Sequence, residues 1–178
     1  MRRSLFLMLF GLLASFAAAP SRAHGPTPQK ALEKITIAKP PAEVWAAVGA
    51  FSKIDKWHPG VEKSSGGDNA PGSERTITLK SGGDLVEGLD EYNAQEMSFG
   101  YRLSKENIEA FPVSFYTATI AVRPAEGGSE VEWSGRFYRA DTSNFPPDNL
   151  NDQAAVAAVE GFFKQGLEGL KAKLEGAK

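Results

Sequence analysis

His24 and His58 are the only histidines of this 178-residue chain, which contains no cysteine. His58 stands in the stretch DKWHPGV, between Trp57 and Pro59. A histidine titrates near neutral pH and could act as a general base, with the nearby Asp55 as an orienting carboxylate. Nothing else marks a triad. We therefore interpret His58 as a partly exposed residue of a turn, which Trp57 anchors to the core and Pro59 fixes.

A metal site would need more ligands than the sequence offers. If His24 becomes the first residue of a processed chain, its amino group and imidazole could bind copper together with His58. Two histidines make a weak site, and the absence of cysteine excludes thiolate nucleophiles and Cys-ligated zinc. The stretch DTSNFPPDNLND lacks the spacing of a calcium loop, and Asn151 or Asp152 is better explained as a helix cap. We predict no metal, no cofactor and no catalytic residue.

The N-terminus has the features of a secretory signal peptide. Arg2 and Arg3 precede an apolar run at 5–19, and the small residues of SRA (21–23) suit cleavage after Ala23. We expect residues 24–178 to form one periplasmic domain without a membrane anchor. Its charged residues are mainly acidic and not clustered, which argues against nucleic-acid binding.

The order of elements predicts an α+β domain. Alternation around Ile35 and Ile37 indicates a first strand, and two short helices follow, the first of them starting at Pro41. Residues 61–141 alternate as a run of antiparallel strands, and 152–175 have helical periodicity. The last helix carries one apolar stripe, formed by Val156, Val159, Phe163, Leu167, Leu170 and Leu174.

The last hairpin can be put in register from its alternation. If Arg123 faces Glu130 across the turn AEGG, one face of the hairpin is apolar and the other is polar. The apolar face needs a cover, and the C-terminal helix is the obvious one. The predicted apolar pairs are Val122 with Val131, Ile120 with Trp133, Ala118 with Gly135, and Tyr116 with Phe137.

Several stretches resemble the START/Bet v 1-like (SRPBCC) superfamily, in particular its polyketide cyclase/dehydratase-like branch. They are PPAEVWAAVGAFSKIDKWHPGV, SERTITLKSGGDLVEGLDEY, MSFGYRLS, VEWSGRF and FFKQGLEGLKAKLE. The resemblance implies a helix-grip fold. In this fold a curved antiparallel sheet of about six to seven strands surrounds a long C-terminal helix, with two short helices after strand 1 and an apolar cavity inside.

The signal peptide followed by AHGPTPQK is similar to the MxaD-like family of periplasmic accessory proteins of methanol oxidation. Because the sequence shows no evident nucleophile, metal cluster or acid/base pair, we interpret the protein as non-enzymatic. The resemblance implies an accessory protein that contacts methanol dehydrogenase or its c-type cytochrome partner and binds a small hydrophobic ligand. One alternative is a cyclase- or dehydratase-like enzyme with Tyr101, His58 or Glu87 as acid/base groups. Another is a periplasmic carrier of a hydrophobic metabolite.

Arg75 and Glu87 match positions that recur in the middle hairpin of this superfamily. The resemblance implies that a buried charged pair at these positions could orient a polar group of a ligand. A hairpin turn at Ser81–Asp84, however, places Arg75 opposite Asp90 and turns Glu87 to the other face, unless a bulge intervenes. In that second arrangement Glu87 belongs to a surface ion pair of little energetic worth. Both arrangements stay open.

We expect a pocket because one helix cannot fill a strongly bent sheet, and because Gly161, Gly166 and Gly169 of that helix would leave gaps. The predicted cavity residues are Phe99, Tyr101, Tyr116, Ile120, Trp133, Phe137, Phe162 and Phe163, with Trp57, His58, Arg75 and Glu87 as polar or cavity-mouth candidates.

Overall fold

Seven antiparallel strands form one sheet in the computed structural model, which describes residues 25–176. Strands β2 to β7 are neighbours in chain order, and β1 pairs with β7 at the far edge. Two helices and two short 3₁₀ segments make up the remaining elements of the described residues. The elements are β1 Gln29–Ile37, α1 Pro41–Val48, a 3₁₀ segment Phe51–Lys56, β2 Val61–Gly66, β3 Glu74–Leu79, β4 Asp84–Asn93, β5 Ser98–Lys105, β6 Val113–Ala125, β7 Gly128–Arg139, a 3₁₀ segment Asp148–Leu150 and α2 Asp152–Glu175.

The β6–β7 hairpin has the predicted register along most of its length. Arg123 pairs with Glu130 on the outer face, and Ile120 pairs with Trp133 on the inner face. Ile120 and Trp133 are both fully buried, as expected for the face that the helix covers.

One predicted pair of this hairpin is not formed. Tyr116 was expected opposite Phe137, but a bulge interrupts the pairing at this end of β6. The bulge contains Phe115, whose φ of 49° lies in the left-handed region that few bulky residues adopt. Tyr116 and Phe137 are nevertheless both buried, so the bulge changes the local pairing and leaves both rings in the core.

Helix α2 covers the inner face of the sheet and has the bounds predicted from its periodicity. Of the two predicted caps, Asn151 is the N-cap, because its side-chain oxygen accepts a 2.9 Å hydrogen bond from the backbone N–H of Ala154. The central residues of the predicted stripe are buried, and the two outermost are partly buried. The buried members are Val159, Phe163, Leu167 and Leu170, and the partly buried ones are Val156 and Leu174.

The corner between α1 and β2 holds the WHP stretch against α2. Pro41 occupies the first turn of α1, where its missing N–H costs nothing, and the second predicted helix is a 3₁₀ segment. Trp57 directly follows that segment and is 5% exposed, with its ring centroid 5.6 Å from that of Trp133. The predicted role of Trp57 as a core anchor is therefore confirmed.

The architecture is the predicted helix-grip α+β fold, a curled seven-stranded sheet with a long C-terminal helix and short helices after β1. Among residues 25–176, no helix combines the length and the apolar character needed to cross a membrane. The predicted signal peptide and His24 lie outside the described residues.

Candidate ligand site

The interior of the curled sheet contains a buried ion pair. Arg75 of β3 and Glu87 of β4 are Cα partners in the hairpin, and Arg75 Nε donates to Glu87 Oε2 over 2.7 Å. Both side chains are almost completely excluded from solvent. Isolated charges are very costly to bury, so each of these two groups depends on the other.

The register that placed Arg75 opposite Asp90 is wrong. The hairpin closes over residues 80–82, where the Leu79 N–H donates to the Gly83 carbonyl over 3.0 Å. Gly82 and Gly83 have φ of +102° and +88°, a region open to glycine, and they allow this tighter closure. Relative to the pairing of Arg75 with Asp90, this closure shifts the register by an odd number of residues. Such a shift moves Glu87 to the inner face of the sheet.

Arg75 is also held by aromatic rings and a backbone carbonyl. Its guanidinium carbon lies 4.2 Å from the ring centroid of Phe51 and 5.1 Å from that of Tyr101. Nη1 donates to the carbonyl oxygen of Phe51. Nη2 is buried and has no hydrogen-bond partner within residues 25–176. The guanidinium is thus anchored through Nε and Nη1 but retains an unused donor.

A second polar group lies next to this pair and consists of three aromatic side chains. The indole Nε1–H of Trp133 donates to the hydroxyl of Tyr101 over 3.1 Å. That hydroxyl lies 3.1 Å from the hydroxyl of Tyr116. All three side chains are buried, so polar atoms from β5, β6 and β7 meet inside the core, beside the ion pair.

Burial keeps both tyrosines protonated. Desolvation raises the pKa of Tyr101 well above its ordinary value, and the nearby Glu87 carboxylate raises it further. Desolvation also raises the pKa of Tyr116, with smaller upward contributions from Tyr101 and Glu87. Both hydroxyls therefore remain hydrogen-bond donors at neutral pH and do not serve as bases.

The eight predicted cavity residues share one aromatic core. Trp133 stacks on Phe163 with a centroid distance of 4.5 Å, and Tyr116 lies 6.3 Å from Phe163. These rings contact one another between the sheet and α2, which brings the predicted residues together. That they line a ligand cavity stays a prediction. Seven are buried and Phe162 is partly buried; the buried ones are Phe99, Tyr101, Tyr116, Ile120, Trp133, Phe137 and Phe163.

The expectation that glycines of α2 leave gaps is wrong. A Cβ at Gly166 would lie 2.6 Å from His58 Cδ2 and 2.6 Å from Trp133 Cζ3. A Cβ at Gly169 would meet the Pro59 ring, whereas Gly161 faces open space on the outside of the helix. Gly166 and Gly169 thus allow close packing of α2 against the WHP corner.

His58 is not a partly exposed turn residue, because it is 1% exposed. Its Nδ1 accepts the N–H of Gly60 at 3.0 Å, and its Nε2 lies 2.9 Å from the carbonyl oxygen of Phe162. A carbonyl only accepts, so Nε2 carries the proton and donates it to Phe162. Desolvation lowers the pKa of His58 to about 4. Neutral His58 therefore links the corner to α2 through both nitrogens, and neither is available to a substrate.

A cleft of about 360 Å³ opens beside this core, between the corner, the β3–β4 loop, residues 110–111 and α2. Phe111 and Phe162 both line it, and their ring centroids lie 5.7 Å apart. Phe111 also lies 5.7 Å from Tyr116, and Phe162 lies 5.6 Å from Trp133. These two rings thus separate the cleft from the polar aromatic group. The sequence reasoning missed Phe111, because a lone aromatic before Pro112 in a loop has no periodicity to mark it.

Comparisons with known proteins agree with this architecture. The chain is 29% identical over 131 residues to MLP-like protein 423 of Arabidopsis thaliana, covering 68% of this chain and 83% of the plant protein. The solved structure of XoxI from Bacillus cereus has a TM-score of 0.67 at 24% identity, over 84% of this chain and 96% of XoxI. A solution NMR structure from Thermobifida fusca has a TM-score of 0.64 at 25% identity, over 85% and 95% of the two chains.

A family model described as polyketide cyclase / dehydrase and lipid transport matches residues 28–175, which include all seven strands of the sheet and all of α2. The match therefore contains the Arg75–Glu87 pair and the three hydrogen-bonded aromatic residues. This chain belongs to the polyketide cyclase/dehydrase and lipid transport family.

Proposed function

We propose that this protein binds a small, mostly apolar molecule between the sheet and α2, and that the molecule enters past Phe111 and Phe162. The observation that carries the proposal is the cleft of about 360 Å³, which is lined by both rings. Family membership supports it, since the family description includes lipid transport.

Entry at this point requires that these two aromatic side chains move. Phe162 is partly buried and Phe111 is 5% exposed, so both lie near the surface of the core. Behind them are Tyr116 and Trp133, which the rings contact at centroid distances below 6 Å. A ligand in the cleft that displaced the two rings would therefore meet the interior polar group directly.

The geometry favours binding over acid/base catalysis. A general base needs an accessible lone pair with a suitable pKa. Both nitrogens of His58 are already hydrogen-bonded, and the Glu87 carboxylate is ion-paired with Arg75. Burial raises the pKa of Tyr101, so its hydroxyl donates. The three residues considered for a cyclase- or dehydratase-like reaction thus lack an available base.

Titration with N-phenyl-1-naphthylamine, an apolar fluorophore, tests the proposal. We expect saturable binding, quenching of Trp133 fluorescence and a rise in melting temperature, because a ligand that binds only the native state stabilises it. Fluorophore emission that rises without saturation would contradict the proposal.

A matched pair of variants locates the entrance. Ala158 of α2 lines the cleft, whereas its neighbour Ala157 is exposed outside it. Ala158→Trp should fill the cleft and weaken fluorophore binding at least about tenfold, a loss of roughly 1.4 kcal/mol in binding free energy. Ala157→Trp adds the same ring to another face of the helix and should leave affinity unchanged. Equal effects of the two substitutions would place the entrance elsewhere.

We also propose the accessory role in methanol oxidation, through contact with methanol dehydrogenase or its c-type cytochrome. Its support is the similarity of the signal peptide and AHGPTPQK to MxaD-like proteins. Affinity capture of the processed protein from a methanol-grown periplasmic extract should retain one of these two partners. Recovery of neither partner, under conditions that retain the dehydrogenase–cytochrome complex, would refute this role.

The periplasmic location is a proposal as well. It rests on the basic start at Arg2 and Arg3, the apolar run at 5–19 and the small residues before His24. The intact mass of protein purified from the periplasm should correspond to residues 24–178. A product that still begins at Met1 would contradict it.

A further inference from the structure

We propose that the interior ligand carries a neutral carbonyl oxygen, which accepts a hydrogen bond from the hydroxyl pair of Tyr101 and Tyr116. This inference rests on the proposed function and specifies the chemical class of the ligand. It follows from the hydrogen-bond inventory of the buried polar group.

The buried group has one donor more than it can use internally. Trp133 contributes an N–H, and Tyr101 and Tyr116 each contribute one O–H. These three protons serve only two contacts, Trp133 Nε1 to Tyr101 and Tyr101 to Tyr116. Whichever tyrosine donates to the other, one hydroxyl proton has no acceptor within residues 25–176. Buried donors are normally satisfied, so this proton marks a place for an acceptor atom.

The unused Nη2 of Arg75 adds a second donor beside the tyrosines. Its guanidinium lies over the Tyr101 ring, with the central carbon 5.1 Å from the ring centroid. Nη2 is buried and unpartnered within the described chain. Arg75 Nη2 and the remaining tyrosine proton are therefore two buried donors on adjacent side chains, and both lack an acceptor within the described residues.

Charge balance selects a carbonyl over a carboxylate. Arg75 and Glu87 form a 2.7 Å ion pair, so the interior carries no net charge from these groups. An added carboxylate would be a buried anion without a counter-ion of its own, which is strongly unfavourable. A ketone or ester oxygen accepts hydrogen bonds without bringing a charge.

The side chain of Tyr116 lies directly behind the proposed entrance. The Tyr116 ring contacts Phe111, which lines the cleft, at a centroid distance of 5.7 Å. A ligand that enters with its carbonyl first meets the Tyr116 side chain once it passes the Phe111 ring. Its apolar part would then lie among the phenylalanine rings.

Three matched probes test the inference. Butyrophenone has a carbonyl where n-butylbenzene has a methylene, and the two are otherwise identical. The third probe, 4-phenylbutanoate, has no ketone and carries a carboxylate at the end of the chain. Calorimetry gives the dissociation constant of each. Infrared spectroscopy follows the carbonyl stretch of butyrophenone, which we expect to move to lower wavenumber on binding because the oxygen accepts a hydrogen bond. We expect 4-phenylbutanoate to bind at least about tenfold more weakly than butyrophenone.

Variants separate hydrogen bonding from the different hydration of the probes. The ratio of the dissociation constants of butylbenzene and butyrophenone should fall about tenfold in Tyr101→Phe/Tyr116→Phe, since both hydroxyls are gone. Tyr116→Phe alone should have a smaller effect, because the proton of Tyr101 then becomes available. Tyr138→Phe, which removes a hydroxyl at the partly exposed Tyr138, is the control and should leave the ratio unchanged.

The outcomes separate this inference from the proposed function. If none of the probes binds, and N-phenyl-1-naphthylamine does not bind either, the proposed function fails. If butylbenzene and butyrophenone both bind but the carbonyl stretch of the bound ketone is not lowered, the apolar site stands and the carbonyl inference is overturned. Tighter binding of 4-phenylbutanoate than of butyrophenone would also overturn it. The infrared measurement uses the wild-type protein and does not depend on the folding of a variant.

Discussion

Gly166 of α2 lies directly against the indole of Trp133, where a Cβ at position 166 would come within 2.6 Å of Trp133 Cζ3. Cβ atoms do not approach other atoms so closely, and the His58 ring is equally near. The glycine therefore sets how closely α2 packs against the sheet and the WHP corner, since side chains in a protein interior are close-packed.

Gly166→Leu should overpack this contact. We expect a loss of at least about 1–3 kcal/mol in the free energy of unfolding, because the added atoms must displace Trp133 or His58. The expectation that Gly166 leaves a gap beside the sheet predicted a small cost only if a pocket existed there. Gly161→Ala on the same helix meets open space and should stabilise by roughly 0.5–1 kcal/mol. Urea denaturation measures both, and a neutral Gly166→Leu would contradict the packing argument.

Glu87→Gln should destabilise the protein by about 3–5 kcal/mol, because it leaves the buried Arg75 cation without its counter-ion. The double variant Arg75→Met/Glu87→Leu removes both charges and should recover most of that loss. Asp90→Asn is the control, since the Asp90–Arg102 pair is partly exposed to solvent and contributes about 0–1 kcal/mol. Chemical denaturation measures the free energy of unfolding of each variant. If Glu87→Gln and Asp90→Asn lower it equally, Glu87 does not stabilise a buried charge.

His58 should make the protein less stable in mild acid. The pKa of His58 is lowered from 6.5 to about 4 in the folded state, so the unfolded chain binds a proton first as the pH falls. This contribution is fully present above pH 6.5 and is lost between pH 6.5 and about 4, by roughly 3 kcal/mol in total.

The difference in the free energy of unfolding between the wild type and His58→Gln isolates this contribution, because the carboxylates titrate equally in the two proteins. Urea denaturation at several pH values should show a steeper loss of stability below pH 6.5 in the wild type. Parallel curves for the two proteins, or an NMR titration that places the native His58 pKa near 6.5, would show that the imidazole is not desolvated.

Trp57→Ala should cost about 3–5 kcal/mol of unfolding free energy. The ring is 5% exposed and contacts Trp133, so its removal leaves a large cavity at the corner. Phe145 is 92% exposed, and Phe145→Ala should change stability by no more than about 0.5 kcal/mol. Thermal unfolding of the two variants tests this prediction. A melting temperature of Trp57→Ala equal to that of the wild type would contradict it.

Local patterns in the sequence were sufficient for the elements and much of the sheet. The helical periodicity of 152–175 predicted α2 with its bounds, and Asn151 was one of two predicted caps because its side chain acts on the next turn. The β6–β7 register followed from alternation, since a slip by one residue would place Arg123 in the core. In each case the determining interactions lie within one element or one hairpin.

The site depended on contacts that no local pattern contains. Glu87 faces inward because the hairpin closes over 80–82, and Gly82 and Gly83 allow several closures that only the packed sheet distinguishes. His58 is buried because α2, a hundred residues later, presents Gly166 and the Phe162 carbonyl to it. The amino-acid composition and the order of the elements predicted the aromatic core and the curved sheet that surrounds α2. The tertiary structure decided which polar atoms meet inside and which are left without a partner, because burial and hydrogen bonding depend on distances between elements that the chain keeps far apart.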